Sequence, residues 1–148
     1  MLPRDVALRL LLAAALGAVI GLEREYHRKP AGLRTNILIA VGSALFTIVS
    51  ITISVHGGTP DRIAAQIVTG IGFIGGGAIL RSGRTVHGMT TAATIWVNAA
   101  IGMAAGAGEY ILATAATVVT LVVLAVLAPI EGYFERRRSA ERTQKKRM

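Results

Sequence analysis

No cysteine occurs in the 148 residues, aromatic side chains make up 5% and charged side chains only 16%. Without cysteine the chain has no disulfide scaffold, thiol redox chemistry, iron–sulfur cluster or cysteine-ligated zinc. The shortage of charge says more, because it is uneven. Uncharged intervals run from Leu10 to Leu22, Thr35 to Pro60, Ile63 to Leu80, Thr85 to Gly108 and Tyr110 to Ile130, together about two thirds of the chain. A bilayer core of roughly 30 Å is crossed by about 20 helical residues, so intervals of this length exclude both an ordinary soluble domain and a disordered chain.

Turning to what is present, 53% of the residues are apolar and 17 are glycine. The pattern predicts an all-α, polytopic membrane protein, a bundle of five transmembrane helices at Val6–Leu22, Asn36–Val55, Ile63–Leu80, Met89–Gly108 and Tyr110–Ile130. Residues 1–130 form the membrane domain and 131–148 a basic tail. The first span lacks the polar region that follows a cleavable leader, since apolar residues continue past Ala13-Ala14-Ala15 to Leu22, and it reads as a retained helix. Arg9, near its end, is expected to snorkel toward the interface.

Five spans place the termini on opposite sides, and the cations decide which is which. Thirteen of the 16 Lys and Arg fall on one side: Arg24, Arg28, Lys29 and Arg34 in the first loop, Arg81 and Arg84 in the third, the rest in the tail from Arg136 to Arg147. Arg4, Arg9 and Arg62 are left opposite. The expected setting is the bacterial inner membrane with the N-terminus outside and the C-terminus cytoplasmic. The net charge of +8 then needs no nucleic acid to explain it, and the tail's expected partner is the anionic lipid headgroups.

Helices in lipid associate through small residues and polar side chains. Gly17 and Gly21, Gly72 and Gly76, and Gly102 and Gly106 each share a helix face and are expected to pack against neighbours. Span two carries Asn36, Ala40, Ser43, Thr47, Ser50 and Ser54 at alternating spacings of four and three, a face suited to tight packing or to lining a polar pathway. Asn98 shares a face with Thr91, Thr94 and Gly102 in span four, and Gln66 lies one turn inside span three, and both amides need partners. Ala107-Gly108-Glu109 predicts a tight turn joining spans four and five.

Gly70-Ile71-Gly72-Phe73-Ile74-Gly75 fits a dinucleotide-binding fingerprint, but no Asp or Glu lies between Asp61 and Glu109 to meet a ribose, and the segment has membrane length. No cofactor is expected. No metal site is expected either, because His27 and His87 lie on the opposite side from His56. A magnesium path calls for oxygen ligands along its length, yet Asp61 and Glu109 sit at outer span ends and Glu23 and Glu25 at the inner end of span one. Glu23, Arg24, Glu25 and Arg34 are functional candidates as charges at the membrane boundary, although Glu25 and Lys29 also have the spacing of an ordinary helix-surface ion pair.

Five ordered blocks carry a resemblance: Gly21-Leu22-Glu23-Arg24-Glu25, Ala31-Gly32-Leu33-Arg34-Thr35-Asn36, Arg62-Ile63-Ala64-Ala65-Gln66-Ile67-Val68, Gly70 to Gly75, and Thr91-Ala92-Ala93-Thr94-Ile95-Trp96. Over residues 10 to 110 the chain resembles the membrane domain of the MgtC/SapB family of bacterial inner-membrane proteins. The resemblance implies a five-helix membrane domain with a cytoplasmic C-terminus, and a part in adaptation to low magnesium and, in pathogens, in intracellular survival. It adds weight to Glu23, Arg24 and Arg34, with Thr35 and Asn36 in the same block. Many members carry a cytosolic ACT-like domain, whose roles do not transfer to a basic tail. Some have Gly-Leu-Asn-Thr before span four, where this chain has Gly88-Met89-Thr90-Thr91.

The sequence thus predicts a non-catalytic regulator of magnesium or ion homeostasis, acting through helix contacts with a second copy or another membrane protein. The alternative is a small magnesium or proton transporter with a polar path along Asn36, Ser43, Thr47, Ser50 and Asn98, and Glu109 near its outer end. No nucleophile–base pair is visible, so an enzyme is not expected.

Overall fold

The structure is a computed structural model and describes residues 2–54, 59, 61–82 and 85–145. His56, Arg84 and the basic side chains of the tail lie outside the described residues. Five helices follow one another: α1 (Pro3–Tyr26), α2 (Leu33–Ser54), α3 (Asp61–Gly77), α4 (Met89–Ala107) and α5 (Tyr110–Lys145). Strands β1 (Leu80–Ser82) and β2 (Thr85–His87) lie between α3 and α4 and pair antiparallel, Leu80 opposite His87.

The helix ends follow from local chemistry. Pro3 stands in the first turn of α1, where its missing N–H costs nothing, and Asp5 accepts a hydrogen bond from the Leu2 amide at 3.3 Å. Arg28 adopts a left-handed conformation (φ 52°), which turns the chain toward α2. Gly88 and Gly108 flank α4, both at φ 88°. A Cβ on Gly88 would also collide with the Ala78 carbonyl. The Gly108 and Glu109 amides close the end of α4 by donating to the carbonyls of Ala105 and Ala104. This is the tight α4–α5 turn expected at Ala107-Gly108-Glu109.

Among the described residues, three helices are long and apolar enough to cross a membrane: Pro3–Tyr26, Leu33–Ser54 and, within α5, Tyr110–Leu127. Large apolar side chains face outward, with Leu11, Leu38, Phe73 and Ile111 all mainly exposed. The interior instead holds Asn36, Ser43, Thr47, Ser50, Thr91, Thr94 and Asn98. An apolar exterior around a partly polar, small-residue interior suits lipid as the surrounding solvent.

Helices α1, α2 and α4 form the centre, and α3 and α5 lean on them. One apolar cluster joins Ala13, Leu16 and Ile20 of α1 to Ala40 and Ala44 of α2, Ile101 and Ala105 of α4, and Ala113 and Leu124 of α5. A smaller one joins Ala31 and Ile39 to Ile71, Ile95 and Ala99.

Two expectations are corrected. The fold is not purely helical, since Leu80, the expected end of the third span, begins β1, and the loop that follows contains the rest of β1 and β2. Helix α3 ends at Gly77 rather than Leu80 because Gly75, Gly76 and Gly77 each cost about 1 kcal/mol of helix propensity relative to alanine. The β-branched Thr85 and Val86 then favour a strand. At the other end, α5 continues past Pro129 and through residue 130 to Lys145.

Candidate functional site

The polar interior is organised around one amide pair. Asn36 and Asn98 are each 0% exposed. Asn98 Nδ2 donates to the main-chain carbonyl of Asn36 at 2.7 Å and reaches its side-chain Oδ1 at 3.2 Å. Asn36 Nδ2 in turn donates to the carbonyls of Ala31 at 2.8 Å and Gly32 at 2.9 Å. Asn36 thereby ties the α1–α2 connection to the start of α2 and offers its own oxygens to α4. Asn98 Oδ1 is buried with no hydrogen-bond partner among the described residues. Leaving a buried acceptor unsatisfied costs about 1–3 kcal/mol.

Most of the α2 stripe is buried as well, although Ser43, Thr47 and Ser50 each border a cleft. Thr47 Oγ1 donates to the Ser43 carbonyl at 2.8 Å, and Ser43, Thr47 and Ser50 are all buried. On α4, Thr91 and Thr94 are buried with Asn98, and Thr94 Oγ1 donates to the Thr90 carbonyl at 2.8 Å.

Glycines set the distances between these helices. A Cβ on Gly17 would lie 2.8 Å from the Asn36 carbonyl oxygen and 2.9 Å from Ala40 Cβ, and one on Gly21 would lie 2.7 Å from Leu33 Cα. A Cβ on Gly106 would lie 2.5 Å from the Ala44 carbonyl, and one on Gly102 would collide with that of Ala40. Gly72 and Gly76 behave differently. A Cβ on either meets nothing within 4 Å, so this pair brings no helix of the same chain close. The shared face is real, but α3 turns it away from the bundle. Its close approach runs through Gly75, which faces Ala92 of α4.

The charged candidates lie at the α1–α2 end. Arg24 is 2% exposed, and its Nη2 donates to Glu23 Oε1 at 2.8 Å while Nε pairs with Oε2. Glu23 Oε1 also lies 3.0 Å from His27 Nδ1. Glu25 does not pair with Lys29. The helix stops at Tyr26, so the four-residue spacing no longer holds the two on one face, and Glu25 Oε2 instead accepts the Leu33 amide at 3.1 Å. That carboxylate caps the first turn of α2. Arg34 is exposed and makes no ion pair among the described residues. Thr35 lines a cleft between α2 and α3, and exposed Glu109 lines another at the opposite end of the bundle. Glu109 is therefore not brought together with Glu23.

Arg9 departs from the snorkelling expected of it. It is half-buried, and its Nη1 donates to the Gly106 carbonyl at 2.7 Å, near the C-terminal end of α4, while its buried Nε has no partner among the described residues. A guanidinium here satisfies a terminal carbonyl and complements the helix dipole. The sequence hint was an arginine inside an apolar run, on the side where α4 ends. Among the described residues no three His, Cys, Asp or Glu side chains gather as a metal site.

The model of the MgtC family matches residues 10–133. Protein MgtC of Salmonella typhimurium strain LT2 is 50% identical over 119 residues, covering 80% of this chain and 51% of that protein. YhiD of Escherichia coli K12, described as a proposed magnesium transporter, is 52% identical over 115 residues, covering 73% of this chain and 54% of that one. The uncharacterized protein slr0014 of Synechocystis is 45% identical over 126 residues, covering 85% and 53%. The chain thus spans about half the length of the curated relatives it matches, and no solved structure matches it. With the family model covering most of its length and relatives at about half identity, this helical membrane protein belongs to the MgtC family.

Proposed function

We propose that the chain is a non-catalytic regulator of magnesium homeostasis in the bacterial inner membrane, working through helix–helix contacts rather than by conducting an ion. The carrying observation is that the α2 stripe is packed tightly against α1 and α4, with Ser43, Thr47 and Ser50 buried and reaching only the edges of clefts beside α3. Gly17, Gly102 and Gly106 bring α1 and α4 to within contact distance of its backbone, and its buried Thr47 hydroxyl is satisfied within the helix. The carboxylates Glu23 and Glu25 are engaged at one end by Arg24 and the Leu33 amide, which leaves no acidic ladder for a dication among the described residues. The charge asymmetry supports a cytoplasmic C-terminus, with the basic tail against anionic headgroups. The description of one relative, YhiD of Escherichia coli K12, as a proposed magnesium transporter supports the choice of magnesium. A second copy or another membrane protein is the partner.

Purified protein in liposomes is expected to move neither magnesium nor protons above the rate of empty vesicles, while crosslinking in native membranes joins the chain to a membrane protein. Flux that Glu23→Ala abolishes would overturn the proposal. One observation favours transport as the second reading. The unpartnered Asn98 Oδ1 lies on the proposed path of Asn36, Ser43, Thr47 and Ser50. Under that reading Asn98→Leu blocks flux while leaving the bundle folded.

A further inference from the structure

Helices α2 and α3 do not close on each other. Between them runs a cleft of about 630 Å³ walled by Leu38, Phe46, Ile63, Ile67 and Ile74. Its depth comes from Gly42 on one wall and Gly70 on the other, where a Cβ would meet nothing within 4 Å. Glycine here opens a trough instead of drawing two backbones together.

The cleft is asymmetric in chemistry along its length. Through Ile63 and Gln66 it continues into a second hollow of about 370 Å³, bordered by Ser50, Thr59 and Arg62. The Arg62 side chain is exposed and makes no hydrogen bond or ion pair among the described residues. An apolar shaft therefore ends at an amide, two hydroxyls and a free guanidinium. From Arg62 to Ile74 the helix rises about 18 Å, close to half of a hydrocarbon core of roughly 30 Å. The shaft has the depth of one leaflet and its cation stands at the rim.

We propose that the α2–α3 cleft binds one acyl chain of an anionic phospholipid, with Arg62 on the phosphate and Gln66 and Ser50 beside the ester region. The guanidinium suits a phosphate because it offers several N–H donors in one plane. The site requires the membrane setting but not the regulatory role, so its failure would leave the proposed function standing.

Native mass spectrometry of the whole chain in detergent, titrated with phosphatidylglycerol or with phosphatidylcholine of the same acyl chains, tests the site. The wild type is expected to hold the anionic lipid about fivefold more tightly. Arg62→Gln is expected to bring phosphatidylglycerol down to the phosphatidylcholine level and leave the latter unchanged. Gly70→Leu and Gly42→Leu, which fill the trough, are expected to lose both lipids while keeping the thermal midpoint. Should either glycine variant unfold, the Arg62→Gln comparison decides alone. Equal binding of the two lipids by the wild type would overturn the proposal, as would a preference that survives Arg62→Gln. So would a cleft occupied by a second copy, seen as a dimer that Gly70→Leu splits.

Discussion

The Asn98 side chain donates to the main-chain carbonyl of Asn36 at 2.7 Å, and the same oxygen lies 2.8 Å from where a Cβ on Gly17 would stand. One backbone acceptor at the start of α2 is thus the meeting point of α1, α2 and α4. The two asparagines are unequal partners, because Asn36 also holds the Ala31 and Gly32 carbonyls.

Asn98→Ala is expected to cost little. It removes two interhelical hydrogen bonds to Asn36, each worth about 0.6 kcal/mol on average in membranes, and also the unpartnered Oδ1. Asn36→Ala should cost about 1–3 kcal/mol because it strands the Ala31 carbonyl, while the Gly32 carbonyl keeps the main-chain amide of residue 36. Denaturation in detergent compares them, and equal losses would contradict the asymmetry.

Gly102→Ala should be severely destabilising, since its Cβ has only the Ala40 backbone to move against. Gly72→Ala should instead be neutral or gain up to about 1 kcal/mol of helix propensity, unless that face meets another molecule. Thermal midpoints in detergent separate the two.

At the α1–α2 end, Glu23→Ala should cost roughly 3 kcal/mol because it leaves the Arg24 guanidinium buried and unpaired. Glu25→Ala removes a helix cap and should cost about 1 kcal/mol. Lys29→Ala should change almost nothing. A loss from Lys29→Ala matching that from Glu25→Ala would restore the ion pair and remove the cap.

Arg9→Leu should free the Gly106 carbonyl and cost about 1.5 kcal/mol, a value usual for a hydrogen bond to a charged group. Hydrogen exchange is expected to quicken at the Gly108 and Glu109 amides, which close the same helix end. Unchanged exchange there would show that Arg9 does not hold it.

The helices and the α4–α5 turn were legible because they depend on local composition and on a glycine that takes φ 88°. The Asn98 face was legible because the 3.6-residue period puts Thr91, Thr94 and Gly102 beside it. What lies opposite a face was not. The pattern Gly-x-x-x-Gly reads alike at 72/76 and 102/106, yet only the second pair meets a backbone in the same chain. Spacing likewise suggested Lys29 for Glu25, but it assumes an unbroken helix, and the left-handed Arg28 cancels that assumption. Arg9 found its carbonyl 97 residues away, a distance no local rule covers. The β1–β2 pair is not legible because each strand has only three residues, too few to show a two-residue alternation.

Ala40 stands with Gly17 of α1 against its methyl group and Gly102 of α4 against its carbonyl. A larger side chain at this position would push upon α1, and any backbone shift made to relieve that push would drive the carbonyl into α4. The three central helices therefore share a single spacer, and residue 40 is the gauge from which the width of the whole slab is set.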